Sequence, residues 1–271
     1  MSSGIWLAAL DIGNTRMKLG LFAPGPAGLP VAARIEACVI ESQSQVIEEL
    51  QRWWAVSVEQ RPQRMMVAGS DPDLRDQVAA NWPLPGCELH LIRSGGEIPV
   101  VADVDFPQRV GIDRLLNAFA ARHWRRGTGP VIVVDSGTAT TVDLVTSDGV
   151  FRGGSILPGL RLSARALHEY TARLPLLTVD EMAGSWPSLP GRNTEAAIRA
   201  GLLVGQLGAV RELVSQLAVA AAQEFGEVQY PELIITGGGG RLLAEHLPQA
   251  GFVDSLALHA LALLGLREEE I

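Results

Sequence analysis

The chain has 271 residues, 47% of them hydrophobic, enough for two domains of ordinary size with a substantial core. Its 22 Lys and Arg stand against 30 Asp and Glu, a net charge of −8, and no basic run is longer than Arg125-Arg126. Nucleic acid needs a concentrated cationic face, so it is excluded as a main partner. The first predicted elements are two apolar runs, Leu7 to Ile12 and Arg16 to Phe22, joined through Gly13-Asn14-Thr15. The second run alternates at Met17, Leu19 and Leu21, which reads as a strand, a tight turn and a returning strand. After a surface turn at Gly25 to Pro30, a third strand is expected over Val31 to Ile40. Gln43 to Trp54 has helical apolar spacing at Val46, Ile47, Leu50 and Trp54. Arg64 to Ser70 reads as a buried parallel strand, Asp73 to Trp82 as a helix and Glu88 to Ile92 as a strand. A meander followed by alternating strands and helices predicts an α/β domain of ribonuclease-H-like layout.

The second half opens with Val110-Gly111-Ile112-Asp113-Arg114, which leads into a helix over Leu115 to Trp124. Pro130 to Val145 then repeats the first hairpin: an apolar strand, Asp135, one residue, Gly137, small hydroxylated residues and a β-branched strand. Two Asp-x-Gly hairpins in one chain suggest a duplicated domain closing around a shared ligand. The expected boundary gives domains 1–110 and 111–271. The repeat turns at Ser147-Asp148-Gly149 and returns through Gly153-Gly154-Ser155-Ile156-Leu157-Pro158-Gly159. A helix is expected over Leu160 to Leu174. Arg192 to Glu195 caps a long helix from Ala196 to about Phe225, whose Gly201, Gly205 and Gly208 permit close helix approach, as across a dimer interface. Glu232 to Thr236 is a strand that ends in the run Gly237 to Gly240 before a helix over Arg241 to His246. Ala257 to Leu266 packs as helix or strand.

Several of these stretches admit two chemistries. A turn with a carboxylate, small polar side chains and an unhindered Gly can wrap phosphate while the acid holds a cation; it can equally be an ordinary polar hairpin. Asp113 either favours the helix start through the dipole or accepts a proton from a substrate hydroxyl, with Arg114 beside it for an anion. The glycines at 153–159 pack against another element or a ligand. The run at 237–240 is either a loop or a bare backbone for a flat ring. Asn193 or Thr194 serves as a helix cap in any case. Cys38 and Cys87 lack paired or zinc spacing and read as packed thiols in a reducing compartment. His90, His123, His168, His246 and His259 have no metal-ligand spacing. Met1-Ser2-Ser3-Gly4 lacks the charged and hydrophobic regions of a signal peptide. The apolar segment Leu256 to Leu266 is too short to span a bilayer. A cytoplasmic protein without membrane contact is expected.

Six stretches in this order resemble type III pantothenate kinases of the acetate and sugar kinase, Hsp70 and actin superfamily. They are Asp11 to Thr15, Gly111 to Arg114, Asp135 to Thr140, Gly153 to Gly159, Asn193-Thr194 and Thr236 to Gly238. The resemblance implies two ribonuclease-H-like, actin-like ATPase domains around a central cleft. It implies ATP-dependent phosphorylation of pantothenate, the first step of coenzyme A synthesis, by a homodimer with substrate near the subunit interface. By the same resemblance, Asp11, Ile12, Gly13, Asn14, Thr15, Arg16, Met17 and Lys18 embrace the ATP phosphates, with Asp11 near Mg²⁺. Thr138 contacts phosphate, and Asp135 ligates a monovalent cation, K⁺ or NH₄⁺. Asp113 is the catalytic base, and Gly111, Ile112, Asp113, Arg114 and Thr194 line the pantothenate site. Two positions depart from the family's pattern: Val104 where a Tyr is usual, with Phe106 close by, and Gly239-Gly240 where an acid often follows Gly-Gly. The rival readings are an accessory factor in transcription with the same fold, another small-molecule kinase, or a phosphate-ester hydrolase.

Overall fold

A computed structural model describes residues 5–13, 16–26, 29–40, 43–56, 61–69, 71–182 and 184–267. Residues 1–4, Asn14, Thr15, Ala27, Gly28 and Ser70, all named above, lie outside the described residues. The chain divides into two compact units, residues 1–124 with 255–271, and residues 125–254. The division falls after Trp124, not at 110, and the C-terminal helix belongs to the first unit.

The first unit holds β1 (Leu7–Ile12), β2 (Arg16–Pro24), β3 (Pro30–Val39), α1 (Gln43–Val56), β4 (Arg64–Gly69), α2 (Pro72–Ala80), β5 (Glu88–Leu91) and α3 (Ile112–Trp124). Its sheet runs β3-β2-β1-β4-β5, antiparallel through β3, β2 and β1, then parallel through β4 and β5. One face, carrying Ala8, Leu10, Ile12, Leu19 and Leu21, is buried against Val46, Leu50 and Trp53 of α1 and Leu74 and Val78 of α2. Asp71 caps α2 by accepting from Leu74 N at 3.1 Å, and Pro72 occupies the first turn, where its missing N–H costs nothing. The last helix of the chain, running Leu256–Arg267, packs on β1, β4 and α3. Its Gly265 sits on Met66 and Leu7. A helix therefore settles the expectation of helix or strand over 257–266.

The second unit holds β6 (Val131–Ser136), β7 (Ala139–Val145), β8 (Phe151–Pro158), α4 (Leu160–Glu169), α5 (Val179–Met182), α6 (Thr194–Glu224), β9 (Glu232–Thr236), α7 (Gly240–Ala244) and β10 (Gly251–Phe252); the terminal helix is α8. Its strand order, β8-β7-β6-β9-β10, with antiparallel pairs β6–β7 and β7–β8 and parallel pairs β6–β9 and β9–β10, repeats the first sheet strand for strand. Ile132, Val134, Val142 and Leu144 are buried against Leu207, Val210 and Val214 of α6 and Leu243 of α7. By length and composition α6, 31 residues with a mean hydropathy of 1.3 over its most apolar window, could cross a membrane. Its apolar side packs on this sheet.

Two local expectations change. The helix expected to reach Leu174 stops at Glu169. Thr171 Oγ1 donates to the Leu167 carbonyl at 2.6 Å, and His168 Nδ1 lies 2.8 Å from the Leu174 carbonyl. Leu174 precedes Pro175, which disfavours the helical region. Gly154 of β8 packs against protein: a Cβ there would collide with the Val142 carbonyl of β7.

Cys87 and Cys38 are free thiols. Burial pushes Cys87 up to about 12 and, with Glu49 nearby, also raises Cys38. At Ser147-Asp148-Gly149, Asp148 Oδ1 accepts from Thr146 Oγ1 at 2.6 Å and from Val150 N at 3.4 Å. The Thr146 hydrogen bond foremost holds this carboxyl below the usual range. A depressed folded value means stabilisation present above the unfolded value and lost as pH falls through the folded one. Asp148→Asn is expected to melt below the parent at pH 7, with the gap closing under about pH 4. A gap that persists at low pH would remove the carboxylate from this account.

Candidate active site

Asp11 stands at the carboxyl end of β1, on the face opposite Ala8, Leu10 and Ile12 and so on the side where α8 packs. Across the hairpin it pairs with Lys18, whose Nζ lies 3.8 Å from Asp11 Oδ2, both side chains being mostly buried. Gly13 N donates to the Arg16 carbonyl at 2.9 Å, closing the turn, and a Cβ on Gly13 would press on that oxygen at 3.0 Å. Ile12 and Met17 are buried, so they anchor the turn, while Arg16 is half-buried. Asn14 and Thr15 lie outside the described residues.

The second copy is built the same way. Asp135 stands near the carboxyl end of β6 on the face opposite Ile132 and Val134, paired with Thr141 across the hairpin and with Thr236 of β9. Gly137 N donates to the Ala139 carbonyl at 3.0 Å, leaving Thr138 exposed at the tip. Three glycines crowd this turn. Gly159 N donates to the Thr138 carbonyl at 3.0 Å and lies so close that a Cβ would strike the carbonyls of Gly137 and Thr138. Gly237, at φ +88, lies against Asp135 Oδ1 and Ser136. Gly239 N donates to the Ser136 carbonyl at 2.9 Å. The run at 237–240 is thus an ordered turn seated on the end of β6. These stretches lie far apart along the chain; parallel pairing of β6 with β9 brings in 237–239, and antiparallel pairing of β7 with β8 brings in Gly159.

The third element is the start of α3. Asp113 is exposed in its first turn, and its Oδ1 accepts from Arg114 N at 2.9 Å. The same N–H also donates to the Gly111 carbonyl at 3.1 Å, so the carboxylate shares a donor of the helix start with the backbone. Gly111 is needed for it, because a Cβ there would meet Asp113 Oδ1. Ile112 and Arg114 are half-buried, and the helix below is fixed by Leu115, Leu116 and Phe119, all at most 2% exposed. Upstream, the Arg109 guanidinium lies over the exposed Phe106 ring at 5.0 Å, and Val104 is half-buried. At α6 the cap is Asn193, whose Oδ1 accepts from Ala196 N at 2.7 Å; Thr194 is exposed in the first turn. With Asn193 as cap, the Thr194 hydroxyl is not needed for that task.

Among the described residues no group of three His, Cys, Asp or Glu converges to hold a metal ion. Mg²⁺ on a nucleotide needs only one or two carboxylates beside phosphates and waters, so single acids at turns suit it. Such turns offer backbone N–H groups and a carboxylate to a polyphosphate, and Asp113 offers a proton acceptor.

A type III pantothenate kinase family model matches residues 7–216. The chain is similar to the type III pantothenate kinase of Rubrobacter xylanophilus, at 33% identity over 95% of this chain and 96% of the relative. It is 43% identical to that of Rhodopirellula baltica over 64% of this chain, an alignment that spans 60% of the relative's length. Among solved structures it resembles a Campylobacter jejuni protein described as a Baf family transcriptional activator, with a TM-score of 0.60, 17% identity and coverage of 97% and 100%. It also resembles the Acidaminococcus fermentans (R)-2-hydroxyglutaryl-CoA dehydratase component A, with a TM-score of 0.53, 13% identity and coverage of 99% and 100%. At these identities the structural likeness speaks for the fold, the actin-like pair of ribonuclease-H-like units. A duplicated Asp-x-Gly hairpin, a Gly-x-Asp-Arg helix start and a family match across most of the chain lead to one assignment: the chain belongs to the type III pantothenate kinases.

Proposed function

We propose that this chain transfers the γ-phosphoryl group of ATP to the primary hydroxyl of pantothenate, giving 4′-phosphopantothenate, the entry step of coenzyme A synthesis. The observation that carries the reading is the same acid-bearing turn at the same place in two sheets, together with Asp113 held in an ordered first turn. Phosphoryl transfer asks a protein for positioning and charge neutralisation and little covalent chemistry. In this reading Asp11 stands by Mg²⁺, and the turn from Ile12 to Lys18 presents N–H groups and cationic side chains to the phosphates. Thr138 contacts phosphate from the second hairpin. Asp135 ligates K⁺ or NH₄⁺, which neutralises further charge. Asp113 takes the proton of the pantothenate hydroxyl as its oxygen attacks the γ-phosphorus and ADP leaves. Gly111, Ile112, Arg114 and Thr194 line the pantothenate site.

An ADP-release assay with pantothenate, run with and without K⁺, tests this. ADP formation that depends on pantothenate and rises with K⁺ is expected. ADP release independent of pantothenate would point to a hydrolase, and silence in both arms to a non-enzymatic member of the fold.

A cytoplasmic homodimer completes the proposal. Gly201, Gly205 and Gly208 fall on one face of α6, are exposed, and a Cβ at any of them would meet no atom within 4 Å among the described residues. Such a face allows a second helix to approach closely. Gly205→Glu is expected to halve the mass seen by light scattering; an unchanged dimer mass would place the interface elsewhere.

A further inference from the structure

Residues 184–193 bring the chain into the N-terminal end of α6, where Asn193 and Thr194 stand. Gly184, Ser185, Ser188, Leu189 and Pro190 are exposed, and apolar burial of this segment is confined to Pro187 and to Trp186, which packs against the core of the second unit. Specific contacts hold it. Arg199, in the second turn of α6, donates through Nε to the Met182 carbonyl at 3.3 Å and through Nη2 to the Ser185 carbonyl. Trp186 lies on His246, beyond the end of α7, with ring centroids 3.6 Å apart and planes at 46°. Arg211 of α6 donates to the His246 carbonyl at 2.9 Å. Gly191 rests on the backbone of Ala196 and Ala197, leaving no room for a Cβ. A planar guanidinium that bridges two backbone carbonyls fixes the segment in more than one direction, which a single ammonium group does not.

We propose that Arg199 is a positioning residue for substrate: by clamping the carbonyls of Met182 and Ser185 to α6, with Trp186 on His246 as second anchor, it sets where Thr194 stands. The inference rests on the reading of Thr194 as lining the pantothenate site and goes beyond it. Arg199 acts through the loop and the helix start, and the substrate contact belongs to Thr194. Loss of the clamp therefore weakens pantothenate binding while leaving the nucleotide turns alone.

The test is steady-state kinetics on the full chain for Arg199→Ala, Arg199→Lys, Trp186→Ala, Trp186→Phe and Thr194→Val, with thermal melting of each. Arg199→Ala is expected to raise KM for pantothenate about tenfold, the size of one lost charge-assisted hydrogen bond, with KM for ATP within about twofold of the parent. Arg199→Lys is expected to fall between Ala and parent. Trp186→Phe, which keeps a ring against His246, is expected to stay near the parent, and Trp186→Ala to follow Arg199→Ala. If Thr194→Val raises KM for pantothenate and Arg199→Ala does not, the clamp is overturned while the site reading stands. If Thr194→Val leaves that KM unchanged, the site reading fails and takes this inference with it. A parallel rise of both KM values with a lower melting temperature assigns Arg199 to stability alone and overturns the proposal. Should Arg199→Ala not fold, the same split between the two KM values in Arg199→Lys decides.

Discussion

Asp113→Asn is expected to lower turnover by at least about a hundredfold, the usual scale for loss of a general base, with little change in melting temperature. The fold should survive because the helix is held by Leu115, Leu116 and Phe119, all buried below the first turn. An asparagine Oδ1 can still accept from Arg114 N, as Asp113 Oδ1 does at 2.9 Å. What disappears is the negative charge at the helix start, worth about 0.3–1 kcal/mol at an exposed site, and the capacity to take a proton. Gly111→Ala provides a second approach. A Cβ at 111 would meet Asp113 Oδ1, so the carboxylate must rotate while the backbone of α3 stays in place. Its kcat should fall with the melting temperature nearly unchanged. Wild-type-like rates in Asp113→Asn would remove Asp113 from the mechanism.

Gly237→Ala is expected to damage both stability and catalysis. The residue sits at φ +88, a region L side chains rarely adopt, and its Cβ would press on Asp135 Oδ1 and on the Ser136 carbonyl carbon and oxygen at 2.7 Å. Strain of this kind costs about 1–3 kcal/mol, and the collision displaces the carboxylate that we propose as the monovalent-cation ligand. Stimulation by K⁺ should weaken and KM for ATP should rise. Gly226→Ala is the control: it shares a positive φ, +69, but a Cβ there would meet nothing within 4 Å. It should cost stability and leave the kinetics alone. Equal kinetic damage in both variants would separate Gly237 from Asp135 and sink the argument.

Most of the fold was legible from local pattern. The alternation at Met17, Leu19 and Leu21 placed β2, and all three are buried. The helical spacing at Val46, Ile47, Leu50 and Trp54 placed α1; Val46 and Leu50 are buried, Ile47 and Trp54 are partly buried beside them, and Trp53, outside that spacing, is buried with the core. Asn193 and Thr194 both offered a cap for α6, and the structure gives the capping bond to Asn193. Less legible was the end of α4, where Thr171 and His168 draw nearby carbonyls into side-chain contacts that compete with helix. The division between units was also hidden: α3 and α8, distant in sequence, pack together, and apolar pattern alone does not name a helix's partner.

The Asp-x-Gly turns and the acid after Gly111 were set by residues a few positions apart, where hydrogen bonds close within one turn and burial follows a fixed period. Their chemistry could therefore be read along the chain. The seating of Gly159 and Gly237 on the second turn, and the grip of Arg199 on the carbonyls of Met182 and Ser185, were decided by tertiary structure. Those contacts join backbone atoms that carry no residue-specific signal in sequence, and only the pairing of strands and the packing of helices brings them within reach.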